Sequence, residues 1–372
     1  MIAPVQSSPA AENNGIRIRE QKTAHGACVG WLTLDSPQTL NALTLPMVDT
    51  LRYQLDVWAH RTDIACVVLT GEGRAFCAGG DVRRMRQGIL GGDDYCERFF
   101  ESEYRLDYAI HTYPKPLLVW GHGVVMGGGL GLLVGATHRV VTRSSRMAMP
   151  EVNIGLYPDV GAGYFLNRLP SGLGLFLGIS ACEWNGADAV SMGIADYLLA
   201  ENARVTLEQQ LGKAGWVSTP NENRLILTRV LQGLQPAEQH TQVMHESNAL
   251  DSTCCAPLPQ VMRRLTALPI NQPWFEQAMK TLYRGCPVSI CLVEAMLERA
   301  KGKSLADVFR QDWTMSVQCA RHPDFPEGVR AQLVDKDKSP RWSFTSVEAV
   351  PEHLINAHFE CPVASHPLHD LK

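Results

Sequence analysis

The sequence predicts an α/β fold that gives way to a mainly helical region. Three observations lead there: short apolar runs alternate with helical periodicity in the first half, glycine clusters follow two of those runs, and strand signals thin out after Asn221. Strands separated by helices pair in parallel through crossover connections, since a two-residue hairpin joins only antiparallel neighbours.

The run VGWLTL at 29–34 is rich in β-formers and stops at Asp35-Ser36-Pro37, where proline ends a strand. Thr44 can cap the helix that follows, with Pro46 in its first turn and Met47, Leu51, Leu55 and Trp58 on one face. ACVVLT at 65–70 is the next strand and ends in GEG. A helix over 95–110, a strand over 117–120, a glycine turn with a helix, and a strand around 139–142 repeat the pattern. Helices over 224–234, 288–300 and 305–320 follow, with 218–223 and 257–260 as joints rich in Pro, Asn and Ser. The division expected is a mobile polar lead-in over 1–15, an α/β core over 16–222 and a helical domain over 223–372.

Composition narrows the function classes. A formal charge of -4 on 372 residues offers no broad attraction to nucleic acid or anionic lipid. The eleven cysteines lack the paired short spacings of a zinc site, and several sit in apolar runs, so a reducing, cytoplasmic setting is expected. Residues 1–15 lack the charged and apolar regions of a secretion signal and the arginines of an organelle presequence, so a polar lead-in is the expectation for them. The segment 117–136 has the length and apolarity of a membrane span, but seven glycines and His122 fit a buried strand, turn and packed helix better.

Small residues at strand ends let a backbone approach a ligand and aim its N–H groups outward. Both AFCAGGD (75–81) and MGGG (126–129) have this character, although a tight turn with Asp81 as a helix cap is the plainer reading of the first.

Taken in order, AFCAGGD, HGVVMGGGLGL and MPEVNIGLYPDVGAGYFLNRL resemble the crotonase superfamily. Nearly the whole chain is similar to the 3-hydroxyisobutyryl-CoA hydrolases within it, through FFESEYRLDYAI (99–110), Lys115-Pro116 and the segment 322–342. The resemblance implies a crotonase-like ββα spiral core with a helical C-terminal region. It also implies a short 3-hydroxyacyl-CoA substrate, 3-hydroxyisobutyryl-CoA in valine degradation foremost, and an oxyanion hole formed by the N–H groups of Gly80 and Gly128. Removing one such donor typically costs about 3 to 4 kcal/mol of transition-state stabilisation.

Enoyl-CoA hydratases carry two glutamates. The first position is Gly131 here, while the second matches Glu151. Eight residues beyond it stands Asp159, where hydratases have a small residue; the hydrolase pattern has both acids. Glu151 and Asp159 are therefore the catalytic candidates, with a helix-start glutamate and a turn aspartate as their plain readings. Glu103 matches a substrate-contacting position, and Gly128, Glu151 and Asp159 join it in substrate binding; by itself Glu103 reads as a solvated helix residue. His122 reads as structural, and Arg83, Arg84 and Arg86 as a solvated helix face within reach of coenzyme-A phosphates.

No metal or redox cofactor is expected, coenzyme A being part of the substrate. Related folds form trimers through C-terminal helices; here the longer helical half either does the same or covers that surface. The alternatives are an enoyl-CoA hydratase or isomerase and a non-catalytic coenzyme-A-binding protein.

Overall fold

The computed structural model describes residues 14–372. The expected lead-in therefore lies outside the described residues except for its last two. The strands are β1 Ile16–Lys22, β2 Cys28–Leu34, β3 Ile64–Gly71, β4 Ala75–Cys77, β5 Leu117–Gly121, β6 Val124–Met126, β7 His138–Thr142, β8 Arg146–Ala148, β9 Trp184–Asn185 and β10 Tyr197–Leu199. The helices are α1 Leu45–His60, α2 Val82–Gly91, α3 Tyr95–His111, α4 Gly128–Val134, α5 Ala162–Phe165, α6 Ser171–Ser180, α7 Gly186–Ser191 and α8 Ala203–Lys213. They continue as α9 Pro220–Gln232, α10 Ser247–Cys254, α11 Leu258–Thr266, α12 Pro273–Arg284, α13 Pro287–Ala300, α14 Leu305–Arg321, α15 Asp324–Val329 and α16 Glu352–Ala357.

One sheet runs β1-β2-β3-β5-β7-β10 and a second runs β4-β6-β8-β9. Only the edge pairs β1/β2 and β8/β9 are antiparallel; every other pairing is parallel. Each turn of the chain gives one strand to the large sheet and the next to the small one, and the turns through β3–β4 and β5–β6 then enter α2 and α4. This is the expected ββα spiral. β2 and β3 are buried along their whole length, which explains why their sequences run apolar without alternating.

The large sheet is covered on both faces. Trp31, Val68, Leu118, Trp120 and Val140 meet Leu207 and Leu211 of α8 and Leu227 and Leu231 of α9. The other core includes Leu32, Val67 and Val119 with Leu51, Trp58, Phe100, Phe176, Met296 and Phe309. Side chains from both sides of residue 222 share this second core, and residue 222 itself lies in the first turn of α9.

The expected strands and helices of the first half are present, with Thr44 accepting from the Met47 N–H at 3.4 Å as cap of α1. One expectation needs correction. The joints at 218–223 and 257–260 are helix starts, because Pro220 and Pro259 occupy first-turn positions where proline's missing N–H costs nothing. The segment 117–136 forms the expected strand, turn and packed helix, as β5, β6 and α4, and among the described residues no helix is long and apolar enough to cross a membrane.

Candidate active site

The two glycine turns meet. A Cβ built on Gly79 would stand 3.4 Å from Met126 O and 3.6 Å from Gly128 N, so the AGG turn after β4 lies against the GGG turn before α4. Gly127 has φ 51 and ψ -124, a conformation glycine adopts without strain, and this reversal starts α4 directly after β6. Leu43 holds the first turn, its N–H donating to Gly79 O and its carbonyl accepting from Asp81 N–H, both at 2.8 Å. Among the described residues, neither the Gly80 N–H nor the Gly128 N–H finds an acceptor within the protein. Asp81 also caps α2, accepting from the Arg84 N–H at 3.2 Å.

Glu151 opens a short 3-10 turn after β8 and is buried. Its Oε1 lies 2.7 Å from where a Cβ on Gly127 would stand, so the carboxyl faces the glycine turn. Glu103 of α3 is buried on the other side, where its Oε1 would collide with a Cβ on Gly128. Asp159 is buried in the loop before α5 and accepts from the Tyr104 hydroxyl at 2.6 Å.

Glu103 and Glu151 thus flank the meeting point of the turns that carry Gly80 and Gly128, and Asp159 is near enough to both to act on their charge. The sequence reading missed four neighbours: Tyr104, Asp107, Asp312 and Ser316. Asp107 follows Glu103 by four residues on the same face of α3, and Ser316 follows Asp312 by four on α14. That spacing was a signal, but charges at helical intervals also describe a solvated face.

Burial pushes the carboxyls of Glu103, Asp107 and Asp312 well above the usual range, and neighbouring acids add to it. Glu151 is raised in the same way, by burial and then by Asp159. Asp159 is pushed up to about 6 by burial, with the Tyr104 hydrogen bond pulling against the rise. A carboxyl held at about 6, as Asp159 is, takes up and releases a proton near neutrality.

His122 bonds Gly73 O through Nε2 at 2.9 Å, a link between turns. The arginines of α2 are engaged in holding structure. Arg83 donates to Leu333 O at 2.8 Å, Arg86 to Pro326 O at 3.0 Å, and Arg84 pairs with Asp93 at 2.7 Å. A surface cavity of about 790 Å³ lies between α1 and α3, lined by Asp49, Arg52, Tyr53, Arg105 and Tyr108, and includes none of the clustered acids. Among the described residues no group of three or more His, Cys, Asp or Glu side chains could hold a metal ion. All eleven cysteines are free thiols.

Residues 29–359 match the family model described as enoyl-CoA hydratase/isomerase. The mitochondrial 3-hydroxyisobutyryl-CoA hydrolase of Danio rerio is 34% identical over 89% of this chain and 86% of its own. That of Homo sapiens is 33% identical over 90% and 86%. Among solved structures, a carnitinyl-CoA dehydratase from Mycobacterium thermoresistibile superposes with a TM-score of 0.84 at 30% identity, covering 95% of this chain and 98% of its own. An enoyl-CoA hydratase from Rhodobacter sphaeroides gives 0.82 at 30% identity, covering 93% and 97%.

Proposed function

Since the chain belongs to the enoyl-CoA hydratase/isomerase family, the crotonase superfamily, we propose that it hydrolyses a short 3-hydroxyacyl-CoA thioester, with 3-hydroxyisobutyryl-CoA of valine degradation as substrate. The observation that carries this reading is the buried Glu151 facing two touching glycine turns, with the buried Asp159 acting on it, while among the described residues the Gly80 and Gly128 N–H groups find no acceptor.

In this reading the thioester oxygen lies between the N–H groups of Gly80 and Gly128, which stabilise the oxyanion as the carbonyl carbon becomes tetrahedral. Glu151 acts as the nucleophile, through a mixed anhydride, or as the base that takes a proton from water. Collapse breaks the carbon–sulfur bond, and the leaving thiolate takes a proton to become free coenzyme A; in the anhydride route, water then attacks the anhydride, freeing the hydroxy acid and restoring the Glu151 carboxylate. Asp159 orients the substrate hydroxyl or passes that proton, and Glu103 lines the acyl site. The reaction asks only for donors, carboxylates and water, with coenzyme A arriving as part of the substrate.

Residues 16–222 carry the acyl-CoA site in this scheme, and 223–372 close it from behind through α14. The free thiols favour a cytoplasmic location, whereas the relatives above are named as mitochondrial; cell fractionation decides between them. Self-association through the helical half belongs to the same reading, and a single species of monomer mass in sedimentation removes it.

The test is a thiol-release assay with 3-hydroxyisobutyryl-CoA run beside crotonyl-CoA hydration. Thiol release that is lost in both Glu151→Gln and Asp159→Asn supports the hydrolase. Hydration without release supports the second reading, an enoyl-CoA hydratase, as the similar Rhodobacter sphaeroides protein is named. Binding without either reaction leaves a coenzyme-A-binding protein.

A further inference from the structure

The acids of the cluster are not equally supplied with donors. Asp159 Oδ2 accepts from Tyr104 at 2.6 Å, and the Tyr104 oxygen lies 2.6 Å from Ser316 Oγ of α14. Ser316 Oγ in turn lies 3.1 Å from the Tyr157 hydroxyl, which donates to the Asp312 carbonyl at 2.8 Å. With the Tyr104 and Tyr157 protons so committed, the Ser316 hydroxyl donates to Tyr104 and strengthens it as a donor.

The remaining carboxyls are poorer. Glu103 Oε1, both Asp107 oxygens, Glu151 Oε2 and Asp312 Oδ1 are buried without partners among the described residues. Asp312 Oδ2 has one donor, the Gly161 N–H at 2.9 Å. The groups that act on Asp159 or feel it come from every neighbouring element: Glu103, Tyr104 and Asp107 of α3, Glu151 and Tyr157 of the preceding loop, and Asp312, Ser316 and Cys319 of α14. A second negative charge among so many acids is opposed by the first.

We propose that Tyr104, backed by Ser316, is a positioning residue that fixes the negative charge of this buried cluster on Asp159. The proposal rests on Glu151 and Asp159 being the reacting pair. Phenols buried beside an acid keep their protons, and those of Tyr104 and Tyr157 are raised well above the ordinary value. Tyr104 therefore donates throughout. Glu151 must shed its proton before it can attack the thioester or accept from water, and the charged Asp159 is the acceptor for that proton. The bond to hydrogen breaks at Glu151 and forms at Asp159, leaving one charge in the cluster before and after.

The test compares Tyr104→Phe and Ser316→Ala with the parent protein in two readouts. The first is the pH profile of kcat/KM for 3-hydroxyisobutyryl-CoA. A charge-assisted hydrogen bond lost at Asp159 moves the acid limb of Tyr104→Phe upward by roughly one to two pH units, so that activity falls about tenfold or more at pH 6 and recovers above the new limb. Ser316→Ala moves the limb the same way by less. Uniform loss at every pH, or an unmoved limb, overturns the proposal and leaves Tyr104 a packing residue.

The second readout is an infrared pH titration of the buried carboxyls, which needs no substrate. The lowest-titrating carboxyl of the parent cluster should shift upward in Tyr104→Phe and vanish in Asp159→Asn; an unchanged titration refutes the assignment. A parent protein without thioesterase activity defeats the proposed function but leaves this readout able to judge Tyr104. If Tyr104→Phe does not fold, Ser316→Ala carries both measurements.

Discussion

Asp107 Oδ2 lies 2.7 Å from where a Cβ on Gly131 would stand, and the Val160 Cβ lies 2.8 Å from the same point. The space that a glutamate side chain would enter from α4 is already filled by an acid from α3 and a valine from the loop before α5. A glutamate at position 131 would therefore have to displace side chains already packed there.

Gly131→Glu should fail to create crotonyl-CoA hydration and should lower stability by about 3 kcal/mol or more, since overpacking and an unpaired buried acid act together. Urea denaturation reads the loss. Gly131→Glu with Asp107→Ala should recover part of it, because the double variant removes the nearest obstruction.

Gly128→Ala drives its new methyl into Glu103 Oε1. The carboxyl end of a side chain can swing aside, so the protein should fold. The swing moves a buried acid away from the glycine turn and disturbs the adjacent N–H, for which, if Gly128 is an oxyanion donor as proposed, a loss of about 10² to 10³ in kcat is expected. Steady-state kinetics with matched melting curves checks both halves of this statement.

Asp159 gives the clearest pH dependence. Its folded value is pushed up to about 6 from an ordinary 3.8, so the folded state binds the proton more tightly than the unfolded chain. The resulting stability is full below pH 4 and is lost as pH rises through 6. Asp159→Asn cannot ionise and should escape that loss, gaining up to about 3 kcal/mol relative to the parent above pH 7 and nothing at pH 4. Melting temperatures across that range measure it, and the variant should be inactive, a stability gain at the expense of chemistry.

The acids of the first half were legible where a motif carried them. Glu151 and Asp159 follow β8 in a segment whose glycines and proline mark turns, and Gly80 and Gly128 sit at strand ends. Asp107, Asp312 and Ser316 were not, because a buried acid and a solvated one share the same letter and the same helical spacing. Only the docking of α14 on α3 distinguishes them, and that contact joins residues some two hundred positions apart. The small β4-β6-β8-β9 sheet was hidden for another reason: strands of two or three residues leave too little pattern to read.

Gly155 and Gly328 form a second long-range lock. A Cβ on Gly328 would meet Ile154 backbone at 2.5 Å, and one on Gly155 would meet Asp324 backbone at 2.5 Å, so α15 lies directly on the turn that carries Glu151. Backbone cannot yield as a side chain can. Gly328→Ala should cost about 2 to 3 kcal/mol in urea denaturation and reduce kcat by displacing Glu151, with KM less affected.

Among the described residues, the charges that act on Glu103 and Glu151 come from neighbouring acids. If the proposed hydrolysis takes place here, the thioester arrives uncharged at its reacting end and leaves as an anion. Such a carboxylate, formed beside a cluster of acids, is repelled by the charge already there, which hastens its exit. Free carboxylic acid at ordinary concentrations should accordingly be a feeble inhibitor above pH 6 and a better one below it.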